Sequence, residues 1–282
     1  MKISIITINF NNRTGLEKTV ASVVKQSIPP YEFIVIDGDS SDGSKEVLER
    51  YKTHFSYWVS EPDKGIYNAM NKGIDHASGD WCIFLNSGDS FCNNSVLQNI
   101  METNASADII VGNAILLSEP PFCQKAPTVI TMDFMYQHAI CHQSTLIKTS
   151  LMKKYKYDET YRIVSDRKFF IQTLILDNVS YQSIDVDIAD YDVNGFSGQN
   201  HVAGEQEYRR VLEELLPARI LVDYGTNNEG ALFGTTSYEK LFLEIGKRNY
   251  RAPIYRIVRS ILSIIGWFIP SARFVRHFPN RL

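Results

Sequence analysis

Residues Trp81 to Phe91 read W-C-I-F-L-N-S-G-D-S-F, an almost unbroken apolar run from Trp81 to Leu85 that stops at Asn86, Ser87, Gly88 and Asp89. A buried parallel strand that ends at a polar site has this pattern. Upstream, Ile3 to Ile8 is rich in β-branched residues and breaks at N-F-N-N. Thr14 is placed to cap a helix from Gly15 to Gln26 that carries Leu16, Val20, Val23 and Val24 on one face, and Pro29 and Pro30 end it. Phe33 to Ile36 predicts a second strand, Lys45 to Tyr51 a helix and Phe55 to Val59 a third strand. A helix from about Tyr67 to Ala77 then packs through Ala69, Met70, Gly73, Ile74 and Ala77, and Gly79-Asp80 turns the chain into the central run. Strand, helix, strand with short connections opens a right-handed βαβ unit and a parallel sheet.

Beyond the central strand the pattern predicts a short helix over Ser95 to Met101, a strand over Asp108 to Leu117 and a loop over Pro120 to Pro127. Cys141 to Ile147 reads as a strand, and Ser165-Asp166 precedes an amphipathic helix that buries Phe169, Phe170, Thr173 and Leu174. Tyr181 to Ala189 is the last strand and Glu205 to Leu216 a charged amphipathic helix. The expected fold is α/β, a mostly parallel central sheet flanked by helices, with a C-terminal helical extension. The expected division is a catalytic domain over 1–205, a helical extension over 206–246 and a basic amphipathic tail over 247–282.

Composition narrows the partners. With 282 residues, 44% hydrophobic, 22% charged and a formal net charge of -3, the chain has no bulk electrostatic case for binding nucleic acid. The charge is uneven, however. After Glu244 there is no Asp or Glu, while Lys247, Arg248, Arg251, Arg256, Arg259, Arg273, Arg276 and Arg281 are basic. The apolar stretch between Arg259 and Pro270 is too short for a span of about 20 residues. An interfacial helix whose arginines meet anionic lipid fits better, with packing against the protein or a partner subunit as the alternative. Cys82, Cys92, Cys123 and Cys141 lack C-x-x-C spacing and read as reduced thiols of a cytosolic protein. The N-terminus reads as a first strand, without the apolar core and cleavage site of an export signal.

The candidate chemistry lies at strand ends, where open α/β sheets bind ligands. Asp37 ends strand two, placed to accept an N–H from a nucleobase, and Asp39 follows; Asp42 and Ser44 fit a turn before the next helix. The spacing G-x-x-x-x-G there is not a P-loop, because Ser44-Lys45 reverses the required order, and no G-x-G-x-x-G is present. Asp63, Gly65 and Asn68 open the third helix, whose start favours phosphate, with Lys64 and Lys72 adding positive charge. Asp89 is the carboxylate available to hold a divalent metal that would in turn hold a phosphorylated substrate. His138 and His201 have no spacing that establishes a role.

The ordered segments T-I-N-F-N, I-V-I-D-G-D-S-S-D-G-S, E-P-D-K-G-I-Y-N-A-M-N-K-G and G-D-W-C-I-F-L-N-S-G-D resemble family-2 glycosyltransferases of the GT-A (Rossmann-like) fold over about residues 1 to 200. The resemblance implies a nucleotide site at Thr7, Asn9, Asp37, Asp39, Asp63, Asn71, Lys72 and Gly73. It implies a donor-sugar and acceptor region at Asn86, Ser87, His142 and Gln143, with Mg²⁺ or Mn²⁺ at Asp89. The usual D-x-D is thinned here, since Asn86 and Gly88 stand at the two acidic positions. Asp166 matches the family's catalytic base, which takes the acceptor hydroxyl's proton in an inverting transfer while a metal stabilises the departing diphosphate. D-V-N-G-F-S-G-Q-N-H resembles the loop that covers the active site in relatives.

The implied activity moves a sugar from a nucleotide-diphosphate donor, UDP-linked by preference, to a saccharide hydroxyl. The tail points to a lipid-linked acceptor in surface polysaccharide assembly, at the inner face of the cell membrane. Two other classes remain at this level: a nucleotidyltransferase, whose Gly-rich basic signature after strand one is absent, and a non-catalytic membrane-associated scaffold that binds sugar nucleotides.

Overall fold

A computed structural model describes residues 1–191, 195 and 200–224, without the His201 side chain. The sequence-read loop over 192–199 lies outside the described residues apart from Gly195, as does everything from residue 225 onward, including the basic tail. Residues Met1–Pro217 form one compact unit. Its last helix runs unbroken from His201 to Leu215, across the sequence division at residue 205. Ala218–Asp223, in the second unit, is also helical.

The chain runs β1 (Ile3–Asn9), α1 (Arg13–Val24), β2 (Glu32–Asp37), α2 (Ser44–Tyr51), β3 (Tyr57–Ser60), α3 (Ile66–His76) and β4 (Trp81–Phe84). These are the alternating elements expected. β5 (Ser90–Phe91), α4 (Val96–Glu102), β6 (Ile109–Leu116), β7 (Phe122–Gln124), α5 (Met132–Gln137), β8 (Thr145–Lys148) and α6 (Thr149–Tyr155) follow. α7 (Ser165–Phe170) continues as a π-helical segment, Ile171–Leu176, before β9 (Tyr181–Tyr191) and α8 (His201–Leu215).

The strands form one sheet in the order β3-β2-β1-β4-β8-β6-β9-β5, with β7 on β6. β1 pairs in parallel with β2 and β4, β2 with β3, and β6 with β9. β8 lies antiparallel between β4 and β6, so β6 and β9 regain the direction of β4. The sheet is therefore mostly parallel, as the sequence predicts, with β5, β7 and β8 reversed. β1 to β4 deliver their carboxyl ends to one edge of the molecule. A core of Ile3, Ile5, Leu16, Val20, Phe33, Val35, Ile83 and Leu85 fixes that alignment from below.

Several boundaries move for local reasons. Asn12, not Thr14, caps α1: its side chain accepts from Gly15 N–H at 3.1 Å. The stretch from Cys141 is not yet strand, because His142–Ser144 is one 3-10 turn, closed by Thr145 Oγ1 donating to the Cys141 carbonyl at 2.7 Å. β7 interrupts the predicted loop over 120–127. Among the described residues no helix is long and apolar enough to cross a membrane.

Candidate active site

At the end of β2, Asp37 is fully buried and accepts from Asn9 Nδ2 (2.7 Å), Ser40 N–H (2.9 Å), Ser40 Oγ (2.6 Å) and Ser60 Oγ (2.6 Å). Those bonds use the acceptor capacity of a carboxylate. Asp37 therefore ties the ends of β1, β2 and β3 together. Asn9, its register neighbour on β1, is held by this network. Thr7, two residues earlier, is fully buried inside the sheet, its Oγ1 without a hydrogen-bond partner. Asp42 takes the expected turn role, accepting from Ser44 N–H and Oγ.

The surface beyond these strand ends is made by other groups. Phe10, directly after β1, is 64% exposed. A Cβ on neighbouring Gly38 would stand 3.1 Å from the Phe10 ring and 2.5 Å from Asp63 Oδ2. Asp63 Oδ1 is anchored by Gly65 N–H at 2.8 Å. An aromatic face and a carboxylate oxygen thus meet over a position with no side chain. Asp39, at a φ of 64°, faces outward and pairs with Lys45. Sequence reasoning passed over Phe10; the signal was a large aromatic set among asparagines just past a strand.

Asn71, Lys72 and Gly73 are not at this surface. α3 starts at the site and runs back beneath β1 and β2, so these residues lie roughly 8 to 10 Å down the helix. Asn71 bonds the Tyr157 carbonyl and N–H and Glu159, each at 2.9 Å. Lys72 pairs with Glu61 at 2.7 Å, and a Cβ on Gly73 would meet Ile6 at 2.4 Å. In this arrangement they clamp α3 to the sheet and to the segment that leads to Asp166.

The turn after β4 is built around Thr19 of α1. Its Oγ1 lies 2.6 Å from the Asp89 carbonyl and 3.1 Å from the Asn86 carbonyl, and it accepts Gly88 N–H at 3.1 Å. Asn12 Nδ2 holds the Ser87 carbonyl at 2.9 Å. Gly88 has a φ of 111°, a conformation that side chains rarely adopt, so backbone shape explains why no acidic residue stands there. Asn86 Oδ1 is buried without a partner. Asp89 is the carboxylate of this turn. Among the described residues no group of three or more His, Cys, Asp or Glu side chains is placed to hold a metal ion. A single hard oxygen donor of this kind fits a cation shared with substrate phosphates and does not make an all-protein cage.

Asp166 stands at the start of α7. Its Oδ1 accepts from its neighbour Arg167 N–H at 2.9 Å, with the Tyr67 hydroxyl 3.1 Å away, and Oδ2 lies 3.0 Å from His142 Nδ1. Burial would push its carboxyl up, but the pull of His142, the Arg167 N–H and Tyr67 outweigh it and hold it below its ordinary range. Tyr67 comes from the first turn of α3, so the third motif reaches this carboxylate. Asn86 Nδ2 lies 3.4 Å from His142 Nε2, which links Asp166 to the end of β4. From α8, Glu207 accepts from the successive N–H groups of Ile163 (2.8 Å) and Val164 (3.3 Å), fixing the entry to α7. Tyr67 and Glu207 were not legible in the sequence, because nothing local marks a side chain whose partner is 40 to 100 residues away.

Ile140, His142, Gln143, Val164, Asp166 and Arg167 line one cavity of about 270 Å³. Another depression, about 370 Å³, opens between Lys125, Asp185 and Asp187 and touches none of the residues above. All four cysteines are free, and burial raises Cys82 to about 11 and Cys141 to about 12, so these thiols stay protonated.

The chain is similar to known proteins over most of its length. An uncharacterised glycosyltransferase of Mycobacterium tuberculosis is 29% identical over 265 residues, covering 87% of this chain and 98% of that one. S. aureus TarS 1-349 in complex with UDP-GlcNAc superposes with a TM-score of 0.61 at 17% identity, covering 80% of this chain and 67% of that one. A mannosyltransferase from Pyrobaculum calidifontis, in complex with GDP-Man and Mn²⁺, gives 0.59 at 13% identity, with 96% and 88% covered. Both likenesses bear on the fold, which is that of the GT-A glycosyltransferases. Residues 4–161 match the family described as Glycosyl transferase family 2, and the chain belongs to that family.

Proposed function

We propose that the chain transfers a sugar from a nucleoside-diphosphate donor, UDP-linked by preference, to the hydroxyl of a saccharide acceptor with inversion at the anomeric carbon. The observation that carries this reading is that Phe10, Asp63 and Asn86 follow the carboxyl ends of β1, β3 and β4 in one sheet, with Asn86 linked through His142 to Asp166. Phe10 offers a base a stacking face, and Asp63 Oδ2 accepts a ring N–H. Uracil, thymine and guanine have such an N–H in their ordinary neutral form, whereas adenine and cytosine do not. The S. aureus protein in complex with UDP-GlcNAc supports the uridine choice by likeness of fold.

The sugar then lies over the end of β4, against Asn86, Ser87 and Gln143, with the acceptor in the cavity beside Asp166. Asp166 is the carboxylate that drives removal of the acceptor proton. Asp89, with the donor's phosphates, would hold Mg²⁺ or Mn²⁺, which when bound supplies positive charge to the departing diphosphate. The basic tail over 247–282 is the part of the chain that would meet an anionic membrane at its inner face, with a lipid-linked acceptor for surface polysaccharide assembly.

The test is a screen of UDP-, GDP- and dTDP-sugars with Mg²⁺ or Mn²⁺, read first as a thermal shift, since a ligand of the folded state raises its stability. Donors that bind are then assayed for transfer. Asp166→Asn is expected to keep donor binding and lose turnover. A purified chain that neither binds nor hydrolyses any of these sugars would sink the proposal.

A further inference from the structure

The reading of Asp166 as the carboxylate that takes the acceptor proton leaves open what kind of saccharide brings the hydroxyl, and the inference below rests on that reading. The next residue, Arg167, lines the same cavity. Its guanidinium is held from three helices. α7 carries it, the Tyr208 ring of α8 stacks on it with the ring centre 3.2 Å from Arg167 Cζ, and the Met135 carbonyl of α5 accepts from Arg167 Nη2 at 3.3 Å. The Tyr208 hydroxyl donates to that same carbonyl at 2.5 Å, so the stack is itself anchored. What the guanidinium lacks is a counter-ion. Asp166 faces His142, and Asp158 and Glu214 are taken by Lys168. Among the described residues no carboxylate pairs with Arg167, and its Nε is buried without a hydrogen-bond partner.

A fixed guanidinium is a planar fork of donors that suits carboxylate and phosphate, and leaving such donors unmet is costly. We propose that Arg167 reads an anionic group on the acceptor, so that the substrate is an acidic saccharide with its charge within about one sugar residue of the attacked hydroxyl. The closeness follows from the chain: Asp166 and Arg167 are consecutive, with Cα atoms about 3.8 Å apart. The cavity also sets a limit. At about 270 Å³ it lies at the small end of ligand pockets, roughly 300 to 1,000 Å³, and admits the end of an acceptor rather than a long chain. Among the described residues no other Lys or Arg lines it. Its carboxylates, Asp166 and the exposed Glu205, repel an anion, which leaves Arg167 as the place for one. Two sources carry this chemistry: a uronic acid, charged on the sugar ring, and a glycosyl phosphate, charged at the anomeric oxygen as in a lipid-linked saccharide.

The experiment uses the full chain saturated with the nucleoside diphosphate whose sugar binds, which fills the donor's phosphate site. Matched probes are titrated by NMR in the gluco, galacto and manno series: the methyl uronide and the sugar 1-phosphate, each against the neutral methyl glycoside. In at least one series an acidic probe is expected to bind roughly 10- to 150-fold more tightly than its neutral partner. A preference confined to uronides assigns the ring carboxylate, and one confined to 1-phosphates assigns the linking phosphate. Arg167→Met should abolish the preference by weakening the acidic probe alone. Arg167→Lys keeps the charge and should keep part of the preference, which covers the case in which Met disturbs the stack on Tyr208. A wild type that prefers no acidic probe overturns the proposal. So does an Arg167→Met chain that retains the preference, or one that loses acidic and neutral probes equally, since the residue would then only shape the cavity. A wild type that neither binds nor hydrolyses any nucleotide sugar sinks the transferase reading and this inference with it. A wild type that binds donors and ignores acceptor charge removes the role of Arg167 alone.

Discussion

Asp63 Oδ2 stands 2.5 Å from the place a side chain on Gly38 would occupy, so the carboxylate fills the gap left by a glycine on the next strand. Asp63 cannot simply swing aside, because Oδ1 is fixed by Gly65 N–H at 2.8 Å. Gly38→Ala is therefore expected to push the carboxylate off the face beside Phe10 while leaving the sheet intact. Losing a hydrogen bond to a charged group costs about 1.5 to 3 kcal/mol, or roughly 10- to 150-fold in affinity. Titration calorimetry with UDP should show that loss, with the thermal unfolding of the free protein nearly unchanged. UDP affinity equal to wild type would remove Asp63 from the base site.

The parts of the fold legible in the sequence are those whose cause is local. Ile3 to Ile8 and Trp81 to Leu85 announce buried strands by composition, and the breaks after them mark the edge where Asp63, Asn86 and Asp166 gather. The direction of Asn71 to Gly73 was not legible, because their closeness to Asp63 in sequence says nothing of it: α3 carries them away from the strand ends within two turns. The hydrogen bonds at Asp37 were not legible because its partners Ser40 and Ser60 are generic turn and strand residues. The turn at His142 was hidden because it runs directly into Thr145 to Ile147, which reads as strand. Thr19, Tyr67 and Glu207 act through partners far away in the chain, which no periodicity reports.

Thr19 is the clearest of these hidden supports. Its hydroxyl serves the Asp89 carbonyl, and its oxygen serves the Gly88 N–H, inside a buried corner of α1. Thr19→Val keeps the shape and removes both bonds. Leaving buried polar groups without partners costs about 1 to 3 kcal/mol, so urea denaturation should show a midpoint shift of that size with an unchanged slope. The same variant should weaken any metal dependence, since the turn that aims Asp89 loosens. A midpoint equal to wild type would mean that water replaces the hydroxyl.

Acid should weaken the junction between α7 and α8. Lys168 Nζ bridges Asp158 at 2.6 Å and Glu214 at 2.5 Å. Burial pushes Asp158 up, but the hydrogen bonds from Lys168 and Thr160 win and its carboxyl lies below the ordinary value; the Lys168 and Tyr161 bonds lower Glu214 in the same sense. A carboxyl depressed in the folded state adds stability that is complete above its unfolded value, about 4, and is lost as pH falls through the folded one. Lys168 is raised, so its share is present below its unfolded value, about 10.4, and is lost as pH rises past the folded one. Stability measured by denaturant should therefore be flat between about pH 5 and 10 on account of this cluster and fall on the acid side. Lys168→Met should flatten the acid fall; an unchanged acid limb would assign it to other carboxylates.

The thinned acidic motif gives the last test. Gly88 has a φ of 111°, outside the region where even Asp or Asn sits comfortably, so a carboxylate at position 88 would have to distort the turn that Thr19 and Lys18 hold. Gly88→Asp is thus expected to lower stability by roughly 1 to 2 kcal/mol and to add no useful ligand. On the proposed reading the metal would then have Asp89 as its one carboxylate from this turn. In calorimetric titrations of UDP with and without Mn²⁺, the wild type should bind more tightly with the ion, and Asp89→Ala should lose that increment while keeping its metal-free affinity. Outer-shell changes alone commonly cost 10- to 100-fold in metal affinity, so removal of the ligand itself should cost at least about tenfold. If Asp89→Ala kept the full Mn²⁺ effect, the ion would have to be held by the substrate's phosphates and by groups other than this carboxylate. A wild type indifferent to Mn²⁺ and Mg²⁺ would leave Asp89 as a structural residue of the β4 turn, and stabilisation of the leaving diphosphate would fall to other groups of the chain.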